Sequence, residues 1–348
     1  MPKKSKRNAT MVTHEAEIDR ILDERCTTKR QNPGKKKQKI KEYLCAWTDG
    51  ENPQWVDAKY LKGTPALEDW TEAENDEPEE FDKPEVLQQK CQQLANLLQH
   101  AKRPTFMLGA GISAPVLPTF RGKHGLWTKD AHLNQKANAK VSDDLVAPTL
   151  AHRGLAALER SGYVYWVATQ NYDDLSLRSG FPASKLSELH GNIFTETCED
   201  CHKIFRRDFE VPLDESQNHE TGRTCDKCHG TLRDNIVHFE EALPWHELKM
   251  ANAKFVGSDL TIVLGSSLNV EPAASLPFKS KRRRSSRTTQ RANHVCIVNL
   301  QKTPYDDEAD LLIRGTCDNV IDVIAKELIG ESWDDASHKN TKVIEILD

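Results

Sequence analysis

Two Cys-x-x-Cys pairs constrain the fold of this chain more than any other feature of its sequence. Cys198 and Cys201 form the first pair, Cys225 and Cys228 form the second, and 23 residues separate the two pairs. Four thiolates at this spacing predict a closed tetrahedral zinc site, with no coordination position left for a substrate. The predicted zinc site is therefore structural, and any catalytic group must lie outside it.

A histidine follows each pair, at His202 and at His229. Because four thiolates complete the site, neither histidine is expected to be a ligand. The even spacing argues against the alternative of four free thiols. The other cysteines are expected to be small buried residues rather than disulfide partners, namely Cys26, Cys45, Cys91, Cys296 and Cys317.

Composition limits the class of protein. The chain has 348 residues, 37% hydrophobic and 29% charged, with a net charge of −5. This length allows two domains and a sizeable core, and the charge gives no global basic field for nucleic acid. No apolar stretch approaches the roughly 20 residues of a membrane span, and the basic N-terminus lacks the apolar segment of a secretory signal. We expect no membrane partner.

Basic residues are instead concentrated in three clusters. Such clusters are typical of nuclear import signals or of local nucleic-acid contacts, and the alternative for any one of them is a solvated loop. Together they favour a nuclear location. The clusters are Lys3, Lys4, Lys6 and Arg7; Lys35, Lys36, Lys37 and Lys39; and Lys281, Arg282, Arg283, Arg284 and Arg287.

Composition also divides the chain. An acidic stretch with two prolines separates a small N-terminal unit from a long segment in which apolar runs alternate with helical patterns. The predicted divisions are a basic disordered tail 1–13, a small module 14–70, an acidic linker 71–85, a main domain 86–330 with a zinc ribbon at about 193–234, and a polar tail 331–348.

The small module has readable strands. One begins near Ile18, a second covers 42–47, and a third covers 55–57. Together with Ile-Leu-Asp-Glu-Arg at 21–25 they resemble a chromodomain, a β-barrel-like module that reads methyl-lysine in an aromatic cage. Trp47 matches one cage position, whereas Ala16 stands near another. The alternative is a small barrel that docks on a partner without reading a mark.

In the main domain, strand after strand ends in small or amide residues. Because ligands of α/β sheets bind beyond the carboxyl ends of the strands, this pattern predicts one nucleotide crevice fed by several turns. The fold class is α/β, a Rossmann-like and mostly parallel sheet with helices on both faces. The predicted strands and following turns are 104–108 with 109–113, 163–168 with 169–173, 259–264 with 265–268, and 294–298 with Asn299, after a helix at 85–100.

A series of motifs over roughly 90–330 resembles the sirtuin family, and the motifs occur in the family's order. They are Gly-Ala-Gly-Ile-Ser (109–113), Phe-Arg-Gly (120–122), Gly-Leu-Trp-Thr (125–128), Thr-Gln-Asn-x-Asp (169–173), Ser-Glu-Leu-His-Gly-Asn (187–192), the cysteine pairs, Gly-Ser-Ser-Leu-x-Val-x-Pro (265–272) and Ile-Val-Asn (297–299). The segments 221–225, 232–239 and 298–304 are similar to the nuclear, chromatin-associated branch that contains human sirtuins six and seven.

The resemblance implies an NAD-dependent protein deacylase that acts on acyl-lysine proteins, with histones as the expected substrates. His190 matches the family's general base, and an imidazole pKa near 6.5 suits proton abstraction at neutral pH. The alternative for a lone histidine is a buried structural residue. The chromodomain-like module of this chain would tether the enzyme to chromatin and raise the local substrate concentration.

The resemblance also implies the site residues. Asn171 and Asp173 match residues that hold the ribose and the nicotinamide amide, and they complete the catalytic set with His190. Residues matching the NAD-binding positions are Gly109, Ala110, Gly111, Ser113, Phe120, Arg121, Gln170, Gly265, Ser266, Ser267, Asn299, Cys317 and Asp318. The segment Val237, His238 and Phe239 matches the strand that pairs with the substrate backbone.

Several positions depart from the family's pattern. The loop from Ser113 to Phe120 is one residue shorter, and the family's Asp before Phe-Arg is Thr119. The other departures are Tyr172 for a smaller residue, Asp174 for Gly, Ser176 for His, and Glu240 for Gly. These departures leave two alternatives open, mono-ADP-ribosyl transfer from the same crevice and a non-catalytic chromatin adaptor that binds NAD.

Overall fold

The computed structural model describes residues 18–29, 38–47, 54–61, 78–117, 146–212, 218–238, 241–283 and 293–334. These residues belong to two compact units, one that contains the described residues up to 61 and one that contains the described residues from 78 onward. The predicted basic tail 1–13 and most of the polar tail 331–348 lie outside the described residues, as do the first two basic clusters apart from the backbone of Lys39.

The N-terminal unit is a three-stranded antiparallel sheet with the order β1-β2-β3. Its strands are β1 (Ile18–Lys29), β2 (Gln38–Trp47) and β3 (Gln54–Asp57). Tyr43, Cys45 and Leu61 form a small buried core, because alternate residues of β2 point to one face of the sheet. The three predicted strands are therefore confirmed. The side chain of Trp47 lies outside the described residues, so the aromatic cage stays a prediction.

The second unit is built on a six-stranded parallel sheet with the order β13-β12-β11-β4-β5-β6. Its strands are β4 (Pro104–Leu108), β5 (Trp166–Thr169), β6 (Leu186–Glu188), β11 (Leu260–Leu264), β12 (His294–Val298) and β13 (Leu311–Ile313). The helices are α1 (Pro84–His100), α2 (Leu150–Arg160), α3 (Leu175–Arg178), α4 (Trp245–Val256), α5 (Lys279–Arg283) and α6 (Cys317–Ile329).

The register of this sheet aligns the carboxyl ends of its strands. Leu108 of β4 lies opposite Leu264 of β11 on one side and opposite Thr169 of β5 on the other. Leu264 in turn lies opposite Val298 of β12, and Thr169 lies opposite Glu188 of β6. The turns that follow all these strands therefore leave the sheet at one edge, as the sequence predicted.

Hydrophobic cores lie on both faces of the sheet, because successive residues of a strand point to opposite sides. In β4, Phe106 and Leu108 belong to one core, and Met107 belongs to the other. Helices α1, α2 and α6 contribute to the first core, and α4 and the turn Leu276–Phe278 contribute to the second. The predicted parallel sheet with helices on both faces is thus confirmed.

A second, antiparallel sheet of four strands carries the cysteine pairs, with the order β8-β7-β10-β9. Its strands are β7 (Thr195–Cys198), β8 (Ile204–Arg206), β9 (Glu220–Thr224) and β10 (Thr231–Asp234). We call this sheet and its cysteines the zinc module. Its small core consists of Cys198, Cys225 and Leu232, so the module has little apolar burial of its own.

The last residues of the predicted linker 71–85 are bonded to the main sheet. The Glu80 N–H donates to the Leu300 carbonyl and the Asp82 N–H to the Arg314 carbonyl, each at 2.8 Å. Helix α1 begins within the predicted linker, at Pro84, where the missing N–H of proline costs nothing. The domain boundaries themselves stay a prediction.

Within the part of the chain that the structure describes, no helix combines the length and the apolar character needed to cross a bilayer.

Helices α2 and α6 cross at Gly154. A Cβ on Gly154 would lie 2.4 Å from Cγ2 of Ile321 and 3.2 Å from the ring of Trp333. We predict that Gly154→Val destabilises the main unit by about 1–3 kcal/mol, because overpacking forces the two helices apart. Calorimetric unfolding should show a lower Tm. Arg160→Val, at the exposed end of the same helix, is the control and should leave the Tm nearly unchanged.

Candidate functional site

The two glycine turns that follow β4 and β11 are in direct backbone contact. The Gly111 N–H donates to the Gly265 carbonyl at 2.8 Å, and the Gly109 N–H donates to the Leu264 carbonyl at 3.0 Å. Gly265 has a φ of 62°, and a Cβ there would lie 2.5 Å from the carbonyl carbon of Gly111. Only glycine fits these positions. The turns therefore form a backbone cradle of the kind that binds a pyrophosphate.

Side chains from two strand ends form one hydrogen-bond network beside this cradle. Ser113 Oγ donates to Asp173 Oδ2 at 2.5 Å. Asn171 Nδ2 donates to Ser113 Oγ and to the Gly109 carbonyl, each at 3.2 Å. Burial raises the pKa of Asp173, although the bonds donated by Ser113 and Leu175 act in the opposite direction. Predicted NAD-binding and catalytic residues are thus brought together.

Gln170 connects the cradle to His190. Gln170 Nε2 donates to Ser266 Oγ at 2.7 Å, and His190 Nδ1 donates to the Gln170 carbonyl at 2.8 Å. Because a carbonyl only accepts, Nδ1 carries the proton and Nε2 is the basic nitrogen of His190. Burial lowers the pKa of His190, with the Gln170 bond acting against it. The imidazole is therefore neutral at pH 7 and able to accept a proton.

The predicted substrate segment is bonded to the same histidine. The Val237 N–H donates to the His190 carbonyl at 3.1 Å. Gly191 has a φ of 83°, and a Cβ on it would lie 1.9 Å from the Asn235 carbonyl oxygen. The loop of His190 and the segment 235–238 therefore pack backbone to backbone, which fixes the segment relative to the imidazole.

The predicted contacts of the adenosine half lie at the next strand ends. Asn299 follows β12, and its Nδ2 donates to the Gln301 carbonyl at 2.9 Å. Asp318 lies at the start of α6, and its Oδ1 accepts from the Ala151 N–H at 2.8 Å. Burial raises the pKa of the neighbouring Cys317 thiol to about 12, so this thiol is neutral and is not a nucleophile. Ala110 and Ser267 lie within the two glycine turns.

The remaining predictions concern Tyr172, the cofactor loop and the end of the substrate segment. Tyr172 is half-buried, and its carbonyl accepts from the Ile193 N–H at 3.0 Å. Burial raises the pKa of its phenol. The predictions for the cofactor loop and for the end of the substrate segment lie outside the described residues, namely those for Thr119, Phe120, Arg121, Phe239 and Glu240.

A buried polar cluster beneath the site was missed by sequence reasoning. Asn192 Nδ2 donates to Glu188 Oε1 and to Asp174 Oδ1, each at 2.6 Å, and Arg206 Nη2 donates to Asp174. Burial raises the pKa of Glu188 to about 7. Glu188 and Asn192 flank His190 in the Ser-Glu-Leu-His-Gly-Asn motif, which was a usable signal. No sequence motif indicates the role of Arg206, because its contact with Asp174 joins distant parts of the chain.

The four paired cysteines form a compact sulfur cluster. Their Sγ atoms all lie within 4.8 Å of one another, with Cys198 and Cys228 at 3.4 Å and Cys201 and Cys225 at 3.7 Å. Tetrahedral Zn–S bonds of about 2.3 Å place sulfurs about 3.8 Å apart. The cluster therefore fits a structural zinc ion, as predicted.

Backbone N–H groups orient two of these thiolates. The Cys201 N–H donates to Cys198 Sγ at 3.5 Å, and the Lys227 N–H donates to Cys225 Sγ at 3.4 Å. His202 and His229 adopt positive φ angles of 56° and 61°. Neither histidine belongs to the metal-binding group among the described residues, which agrees with the prediction that they are not ligands.

Comparisons with known proteins agree with this geometry. The sequence model of the Sir2 family matches residues 109–272. The NAD-dependent protein deacetylase Sirt6 of Drosophila melanogaster is 36% identical over 261 residues, which cover 72% of this chain and 79% of that protein.

The chain belongs to the Sir2 family, the sirtuins. The NAD-dependent protein deacetylase SRT1 of Oryza sativa subsp. indica is 40% identical over 70% of this sirtuin and 49% of its own length. Sirtuin-7 of Homo sapiens is 38% identical over 71% of this sirtuin and 62% of its own length. This sirtuin spans about half the length of the rice and Arabidopsis thaliana relatives that it matches.

Solved structures agree in fold. A Sir2 structure with a p53 peptide and NAD+ is 32% identical with a TM-score of 0.51, covering 68% of this sirtuin and 97% of that chain. A Sir2 homologue with ADP-ribose is 30% identical with a TM-score of 0.54, covering 68% of this sirtuin and 95% of that chain. The likeness extends over the main unit's share of the sequence and does not test the chromodomain-like module.

We predict that Cys225→Ser abolishes stoichiometric zinc binding by this sirtuin, because three thiolates leave the tetrahedral site open. Metal analysis of the purified protein should then give well below one zinc ion per chain, with a lower Tm. The matched control is His229→Asn, since asparagine tolerates the left-handed backbone of this position. The control should keep its zinc. Zinc loss in the control would make His229 a ligand and would contradict the four-thiolate assignment.

Proposed function

We propose that this chain is an NAD-dependent protein lysine deacylase in which His190 is the general base. The observation that carries the proposal is the hydrogen-bond path from Ser266 through Gln170 to His190 and on to Val237. This path of hydrogen bonds joins the backbone cradle, a neutral imidazole and the substrate segment 235–238. Relatives called NAD-dependent protein deacetylases support it, as does a Sir2 structure bound to an acetylated peptide.

The residues perform separate parts of the reaction. When bound, NAD+ would supply an electrophilic ribose carbon for the acyl oxygen of the modified lysine, with nicotinamide as the leaving group. Asn171 and Asp173, fixed by Ser113, position the ribose and the nicotinamide amide. His190 Nε2 then accepts a proton from a ribose hydroxyl, and Nδ1 keeps its proton on the Gln170 carbonyl.

The substrate segment 235–238 of this chain recognises the backbone of the acyl peptide. The N–H groups of Ile236, Val237 and His238 donate within the protein, to Asp234, His190 and Glu241 respectively. We therefore assign the pairing with substrate to the carbonyl oxygens of this segment, by strand addition. Backbone pairing sets the register of the peptide without reading its sequence, so the choice of target depends on other contacts.

Histones are the proposed substrates, and the nucleus is the proposed location. The basic clusters and the likeness to Sirt6 and sirtuin-7 support both proposals. The three-stranded N-terminal sheet is proposed to dock the enzyme on chromatin, with Trp47 as a candidate methyl-lysine contact. Such tethering would raise the local substrate concentration.

Tyr172 favours one further candidate, mono-ADP-ribosyl transfer to protein. Tyr172 lies between Asn171 and Asp173 in the sequence and is half-buried. A phenol beside the nicotinamide would narrow the space there and change which nucleophile reaches the ribose. NAD+ labelled in its adenylate distinguishes the two reactions. Label that stays covalently on protein supports transfer, whereas label in O-acyl-ADP-ribose supports deacylation.

We predict that nicotinamide release requires both an acyl-lysine histone peptide and His190. His190→Tyr should reduce the rate by at least about 100-fold, the usual contribution of a positioned general base. The assay uses a panel of acetyl and long-chain acyl histone peptides. His246→Tyr, at an exposed position of α4, is the control and should keep the wild-type rate. If no peptide in the panel leads to nicotinamide release, the non-catalytic adaptor is the better account. Release that is independent of peptide and of His190 would contradict the proposed reaction.

We predict that the acidic limb of the pH–rate profile lies below pH 6.5, the ordinary pKa of histidine, because burial lowers the pKa of His190. The base is active when neutral, so activity is lost as pH falls through the lowered pKa. The measurement is kcat/KM for the acyl peptide against pH, with the Tm at each pH as the control for unfolding. A limb above pH 6.5 would contradict the assignment.

A further inference from the structure

Asp174 has a left-handed backbone, which aspartate tolerates better than most residues but less well than glycine. Its φ is 65°, in the left-handed region where glycine is the least strained residue. The residue directly follows Asp173, and the family's usual residue at this position is glycine. Asp174 is also 6% exposed, so its carboxylate lies away from water. Because the carboxylate of Asp174 is buried, it needs a compensating charged or hydrogen-bonded partner.

Two donors supply that contact. Asn192 Nδ2 donates to Asp174 Oδ1 at 2.6 Å, and Arg206 Nη2 donates to the same oxygen. Arg206 is the last residue of β8 in the zinc module. The ion pair therefore joins the loop of the catalytic Asp173 to the module that the cysteines hold together.

The charges around this pair make Arg206 important. Glu188 shares Asn192 with Asp174, and Asp173 is adjacent in sequence. Without the guanidinium, the carboxyl groups of Asp174 and Glu188 would share the single Asn192 amide and lose the positive charge that faces them, which favours displacement of one of them. The chain just before the zinc module also contacts this loop, since the Ile193 N–H donates to the Tyr172 carbonyl at 3.0 Å. The ion pair between Arg206 and Asp174 is thus the charged contact between the loop 171–174 and the zinc module.

We propose that Arg206 and Asp174 are a positioning pair that takes the place of the family's glycine and makes the placement of Asn171 and Asp173 depend on the zinc module. The proposal rests on the proposed function, because the loop 171–174 is assigned to NAD+ there. Neither residue of the pair is catalytic. In this chain the module acts on the cofactor loop through one ion pair, in addition to its structural role.

A double-mutant cycle tests the pair. Arg206→Ala should lower kcat/KM for NAD+ about tenfold, within the range of coupled contacts, and should raise the Kd for NAD+ by calorimetry. The KM for the acyl peptide and the zinc content should stay unchanged. Arg206→Lys should keep more activity than Arg206→Ala. In the Asp174→Gly background, Arg206→Ala should have no further effect, because no buried carboxylate is left unpaired.

Arg233→Ala is the matched control. Arg233 belongs to the same module, but it pairs with Glu199 at the surface, where both side chains are more than a third exposed. This variant should behave as the wild type. The proposal is overturned if Arg206→Ala matches Arg233→Ala, if it loses zinc, or if it is equally harmful in the Asp174→Gly background.

The calorimetric arm separates this proposal from the proposed function. If the wild type binds NAD+ without turnover, deacylation fails as the function, and the pair is still judged by the Kd values of the four proteins. If the Kd values follow the cycle, the positioning pair stands. If the four Kd values are equal, the pair is rejected whether or not the enzyme turns over.

Discussion

The close contact between the glycine turns after β4 and β11 is the constraint on which the site depends. The carbonyl of Gly265 accepts from Gly111 at 2.8 Å, and no side chain fits between the two turns. The turns can meet only because parallel pairing places Leu108 and Leu264 opposite each other. A shift of that register would separate the turns and remove the backbone cradle.

The rest of the site is arranged around that contact by hydrogen bonds between neighbouring strand ends. Gln170 bridges the cradle to His190, and the His190 carbonyl bonds to Val237. Hydrogen-bonded side chains in such a network hold one another in a single orientation, which the proposed general base requires. The tautomer of His190 follows from the same network, because the Gln170 carbonyl leaves only Nε2 free to act as a base. The same hydrogen bonds between strand ends therefore determine both the orientation and the tautomer of His190.

Local pattern predicted much of this architecture and failed where contacts are tertiary. Strands 104–108 and 294–298 were predicted to the residue, because short apolar runs end there in glycine or asparagine. The strand expected at 163–168 covers Trp166–Thr169. A run of apolar residues indicates that a segment is buried, but it does not show which of its residues form hydrogen bonds with a neighbouring strand. Strands β6 and β13, of three residues each, are too short to show a pattern. The Asp174 departure was visible in the sequence, whereas its partner Arg206 was not, because folding brings them together across 32 residues.

The most direct test of the central claim is a crystal structure of the full chain with bound ADP-ribose. The account predicts the pyrophosphate against the turns of Gly109–Ser113 and Gly265–Ser266, with one ribose within hydrogen-bonding distance of Gln170 or Asn171. A nucleotide bound elsewhere, or a Tyr172 side chain that fills the crevice and excludes it, would contradict the account.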